Sequence, residues 1–93
     1  MRTMGKERME EDEGVAVVGD RLREVILHND DVNTFEHVII SLMEICGHEP
    51  LQAEQCAWIV HNNGKCSVKR GRFDALKPMC EALCERGLSA DIR

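Results

Sequence analysis

Between Asn33 and Gly64 the sequence holds two helix-length segments with almost nothing between them, and this pairing limits the fold more than any other feature. "NTFEHVIISLMEICG" (33–47) opens on Asn33, a good N-cap, with Glu36 three residues later to complete a capping box. Val38, Leu42 and Ile45 recur at helical spacing with Phe35, Ile39 and Met43 alongside, and Gly47 is a suitable stop. "EPLQAEQCAWIVHNNG" (49–64) carries Pro50 at its first helical position and closes on Gly64. Leu51, Ala57, Trp58 and Val60 mark its apolar side. A connection this short predicts a helical hairpin. The start of the first helix should then lie near the end of the second.

The flanking segments read as strands and one more helix. "RLREVILH" (21–28) alternates and then becomes continuously apolar, which favours a strand. The polar cluster that follows ends it without Gly or Pro. "KCSVKRG" (65–71) predicts a second strand. "FDALKPMCEALCERG" (73–87) predicts a third helix that stops at Gly87. Pro78 conflicts with that helix, because proline removes a backbone bond; the helix either starts near Lys77 or kinks there. "LSADIR" (88–93) alternates as an edge strand would. The order β-α-α-β-α-β predicts an α+β fold, a three-stranded antiparallel sheet with three helices on one face.

The chain has 93 residues, enough for one small domain with a marginal core. Residues 1–20 are rich in charge and contain no aromatic residue, Ile or Leu, so a flexible N-terminal extension is expected there, followed by a core domain at 21–93. The formal net charge of -5 argues against nucleic acid as a partner. No apolar run is long enough for a transmembrane helix, so no membrane partner is expected. The N-terminus lacks the apolar stretch of a secretory signal, and a cytoplasmic location is the expectation. The five cysteines include no C-x-x-C pair. Most fall among apolar residues, as small buried hydrophobes do in a reducing compartment. Cys80 and Cys84 lie four apart and could share a helix face, but a zinc site would need further ligands from Cys66, His48 or His61. No metal and no other cofactor is expected.

Two features remain as candidate chemistry. "HNDDVNTF" (28–35) places Asn29, Asp30 and Asp31 where turn-forming side chains satisfy their own backbone. His61 sits in the last turn of the second helix, where a histidine suits the helix dipole. The hairpin brings these two bland features to one end, with Phe35, Val38, Ala57 and Val60 as the nearest apolar residues. An apolar pocket with a few polar groups at its rim is the ordinary form of a binding site. This rim is rich in acceptors and suits a cation, an ammonium above all. Asp30 with His61 could also act as an acid–base pair. However, no nucleophile motif, Gly-rich phosphate loop or metal triad accompanies them, so an enzyme is not expected.

At these residues the sequence resembles the ClpS family of adaptor proteins for the bacterial Clp protease. The matching segments are "VILHNDDVNTFEHVI" and "AEQCAWIVHNNGKC", with N-D-D and V-H-x-x-G at the family's separation. The resemblance covers roughly residues 24 to 92. It implies a fold like the C-terminal domain of the ribosomal stalk protein. It also implies an adaptor that binds N-degron substrates, whose first residue is Leu, Phe, Tyr or Trp with a free α-amino group. The partner would be the N-terminal domain of a ClpA or ClpC-type AAA+ unfoldase working with ClpP. By resemblance Asn29, Asp30 and His61 hold the α-amino group, and Asp31 supports them. Val38, Val60 and Leu88 match walls of the hydrophobic pocket. Phe35 and Ala57 stand where many members have methionine, Asn33 replaces the usual Thr, and Thr34 replaces a common Pro. Phe35 is stiffer than methionine, while Ala57 opens volume, and the loss of methionine at 57 is expected to admit Trp or Tyr more easily. Two other readings remain: a generic protein-interaction module of the same fold, and a small zinc- or thiol-binding protein.

Overall fold

A computed structural model describes residues 21–93. The expected extension at 1–20 lies outside the described residues. The elements run β1 (Arg23–His28), α1 (Phe35–Cys46), α2 (Pro50–Asn63), β2 (Lys65–Gly71), α3 (Phe73–Glu85) and β3 (Ser89–Ile92). This is the predicted β-α-α-β-α-β order in an α+β fold. The apolar strand β1 takes the centre of the sheet, in the order β2-β1-β3, and both pairings are antiparallel. Its continuous Val25-Ile26-Leu27 run is buried throughout, at 0%, 9% and 1% exposure.

Val25 and Leu27 join Leu42, Leu76, Leu83 and Val68 in the core that the helices close. The register of β1 with β2 slips between Val25 and Ile26, whose partners are Lys69 and Ser67. Val68 is the extra residue of this bulge. Its carbonyl accepts from Nε2 of the buried His48 at 2.6 Å, which fixes the α1–α2 turn to the sheet. Gly47 and Gly64 end their helices at φ 72° and 91°, in the left-handed region where a side chain is strained.

Three local expectations change. The N-cap of α1 is Thr34, whose hydroxyl accepts from His37 N at 3.0 Å, and not Asn33. Asn33 instead gives its side-chain amide to Asp30 and to the Gly87 carbonyl. Helix α3 begins at Phe73 and continues through Pro78, so the start near Lys77 is excluded. Proline at the sixth position of a helix removes a single bond, and Pro78 lies on the exposed side, where water reaches the freed carbonyl. On α2 the buried face is Ala53, Ala57 and Val60, while Leu51 and Trp58 are 66% and 51% exposed. The apolar side expected from four residues is thus narrower and lined by smaller ones.

Candidate functional site

The chain leaves β1 at His28 and turns under the control of two backbone-directed contacts. Asn29 N donates to the Gly64 carbonyl at 2.9 Å, which ties the start of the turn to the end of α2. Asp30 Oδ1 then accepts from Val32 N at 3.1 Å and Asn33 N at 3.0 Å, an Asx turn that reverses the chain without glycine. The Asn33 side-chain amide also donates to both Asp30 oxygens and to the Gly87 carbonyl, the last at 2.9 Å. His37 repeats this link one turn later, donating from Nε2 to the Arg86 carbonyl at 2.9 Å. The segment before Leu88 is therefore fastened to the beginning of α1.

These contacts surround a cavity of about 260 Å³. Every residue named from the sequence for the amine-binding rim or the apolar pocket borders it, while Cys66, Cys80, Cys84 and His48 do not. Asn29, Asp30, Asp31 and His61 contribute polar groups. Val38, Ala57, Val60, Leu88 and Phe35 contribute apolar ones. Leu27, His28 and Asn33 also line it and were not foreseen as site residues. Strand alternation alone marks Leu27 as core, and it is 1% exposed. His28 and Asn33 lay in the quoted turn, but only the fold shows which way each one serves. The volume is slightly below the roughly 300–1,000 Å³ of small-molecule sites.

No Lys or Arg lines the cavity. His28 faces Asp91, with Nε2 3.2 Å from Oδ2. Burial pushes the Asp30 carboxyl upward, but the hydrogen bonds from Asn33 N, Val32 N and the Asn33 amide, with His37 nearby, outweigh it. The net result lies below the usual carboxylate value, so Asp30 is an anion at neutral pH. Asp30 is already engaged in the turn, through Val32 N, Asn33 N and the Asn33 amide. A carboxylate offers about four acceptor positions. Oδ2 receives only the Asn33 amide, at 3.0 Å, among the contacts described.

Two of the lining residues, Phe35 and His61, belong to a cluster of three rings completed by Trp58. Phe35 and Trp58 meet edge to face at 4.9 Å between centroids, and His61 lies 6.3 Å from Phe35 and 6.2 Å from Trp58. Among the described residues no group of three or more His, Cys, Asp or Glu side chains is arranged to hold a metal ion. Among them, too, no helix is long and apolar enough to cross a membrane.

Comparison with known proteins finds a match to the family model "ClpS: ATP-dependent Clp protease adaptor protein ClpS" over residues 12–91. The match starts inside the 1–20 stretch and spans most of the chain. A search of curated proteins finds no significant match. Among solved structures, Agrobacterium tumefaciens ClpS2 bound to L-phenylalaninamide is similar, with a TM-score of 0.73 and 22% identity. The similarity covers 80% of this chain and 96% of that one. At that identity the likeness establishes the shared fold.

Proposed function

This chain belongs to the ClpS family of Clp protease adaptors, and on that premise we propose that it is a non-enzymatic N-degron adaptor. It binds proteins that begin with a free α-amino group and a bulky hydrophobic residue (Leu, Phe, Tyr or Trp). It delivers them to a ClpA or ClpC-type unfoldase for degradation by ClpP, in the cytoplasm. Residues 21–93 form the binding core, and residues 1–20 serve delivery.

One observation carries this reading: Asn29, Asp30 and His61 border the same apolar cavity as Val38, Val60 and Leu88. An α-ammonium has three N–H donors, and an amide oxygen, a carboxylate and an imidazole nitrogen can accept them. The side chain next to it enters the apolar space. This is N-terminal amine capture combined with a specificity pocket. Each half is modest alone. Burial of one large apolar side chain contributes about 1.5–3 kcal/mol. Charge-assisted hydrogen bonds contribute about 1.5–3 kcal/mol. Both must be satisfied, so a substrate needs the right residue at the right end. L-phenylalaninamide, the ligand of the similar ClpS2 structure, carries both groups, which supports the reading.

Reconstituted degradation tests it. A Phe-initiated substrate with a Clp unfoldase and ClpP should be degraded faster when the full chain is added. A chain lacking residues 1–20 should bind the same substrate and fail to accelerate its loss. No acceleration by the full chain with any ClpA or ClpC-type unfoldase would refute delivery.

A further inference from the structure

Phe35 is the first residue of α1, so no preceding helical turn lies beneath its ring. Val32, three residues earlier, is 89% exposed. The ring is instead held from α2, where Trp58 and His61 stand three residues apart on one helix face. Trp58 makes the nearer contact, an edge-to-face pair at 4.9 Å with 65° between planes. Aromatic pairs favour this geometry, and it gives a ring a defined orientation.

Trp58 does not line the cavity, and it is half exposed, so neither the pocket surface nor the core accounts for it. It lies outside Phe35 while Phe35 faces the cavity. We propose that Trp58 is a positioning residue that fixes the Phe35 ring as one wall of the pocket and so sets which first residues fit. The inference rests on the reading of the cavity as the pocket for a substrate's first side chain. Without the indole behind it, the Phe35 ring keeps only the more distant His61 contact at 6.3 Å and gains freedom about its two side-chain torsions. The pocket then adapts to each first residue and ranks them less sharply.

The test uses the full chain and dye-labelled peptides that differ only in a first residue of Leu, Phe or Trp, followed by fluorescence anisotropy. Wild type should separate the three affinities. Trp58→Ala should compress the spread between the tightest and the weakest by about three- to tenfold, the size of one aromatic pair. Trp58→Phe, which keeps a ring edge against Phe35, should restore most of the spread. A general loss of stability would not give this pattern, and thermal melts of the two variants should be similar. A Trp58→Ala protein with the wild-type ranking and spread overturns the inference while leaving the adaptor reading intact. So does a wild type that binds all three peptides equally. A wild type that binds none of them overturns the adaptor reading and the inference with it.

Discussion

The Asn33 side-chain amide spans both oxygens of the Asp30 carboxylate, at 2.9 Å to Oδ1 and 3.0 Å to Oδ2. The same nitrogen donates to the Gly87 carbonyl. One amide therefore joins the turn after β1 to the chain just before Leu88. In the proposed site it holds the carboxylate at the rim and the leucine at the wall in fixed relation.

Asp30 carries two roles that substitutions can separate. Asp30→Asn keeps an oxygen that accepts from Val32 N and Asn33 N, so the turn should survive while the charge is lost. Peptide affinity should fall about tenfold or more, because charge-assisted bonds are the strong ones. Asp30→Ala removes the acceptors as well and should cost about 1–2 kcal/mol of stability in addition. Urea denaturation beside peptide titration distinguishes the two variants. Equal stability of both would mean that the turn does not depend on the side-chain oxygen.

The same carboxylate predicts an acid effect. Its value in the folded chain lies below the ordinary one, so its stabilisation is fully present above the unfolded value of about 3.9. It is lost as pH falls through the folded value. Wild type should therefore lose stability below about pH 4 more steeply than Asp30→Asn. Parallel acid profiles in thermal melts would contradict this.

Asn33 should tolerate alanine better than aspartate. Alanine removes the donors to Asp30 and Gly87 and should cost about 1 kcal/mol or more. Aspartate puts a second carboxylate against the first and leaves the Gly87 carbonyl facing an acceptor. Asn33→Asp should thus be the less stable variant at pH 7, and lowering the pH toward 4 should narrow the gap as carboxylates protonate. Denaturation curves at the two pH values report it.

Phe35 and Ala57 predict a shift in first-residue preference. Ala57 leaves room where a larger side chain would protrude, and it borders the cavity at 3% exposure. A Trp-initiated peptide should bind at least as tightly as a Leu-initiated one. Ala57→Met should reverse that order in the same titration, and an unchanged order would locate the preference elsewhere.

The cysteines should differ in reactivity. Burial pushes the Cys66 thiol up to about 11, and the neighbouring Cys56 adds to the effect. The thiolate is the reactive form, so Cys66 should alkylate slowly at pH 8. Cys84 is exposed and should label first. Peptide mapping after timed iodoacetamide treatment gives the order, and early labelling of Cys66 would contradict it.

Much of this molecule is legible in its sequence because local signals agree. Gly47 and Gly64 fix the helix ends, and the short turn between the helices brings Asn29 close to the last turn of α2. What was not legible depends on partners distant in the chain. Asn33 looks like an N-cap by spacing, but Gly87 is 54 residues away and, with Asp30, takes its amide. Trp58 looks like core on an apolar helix, yet small residues suffice for the buried face, and Trp58 turns outward beside Phe35. Pro78 looks like a break, but a single lost bond on an exposed face does not outweigh the burial of Leu76 and Leu83 on either side.

In the proposed function the rim of the cavity captures a free α-amino group. This capture is tested most directly by paired anisotropy titrations of one Phe-initiated peptide with its amine free and N-acetylated. Acetylation removes the charge and leaves the side chain untouched. Acetylation should weaken binding by about tenfold to a hundredfold, the contribution of charge-assisted hydrogen bonds. Equal affinity for the two peptides would contradict it.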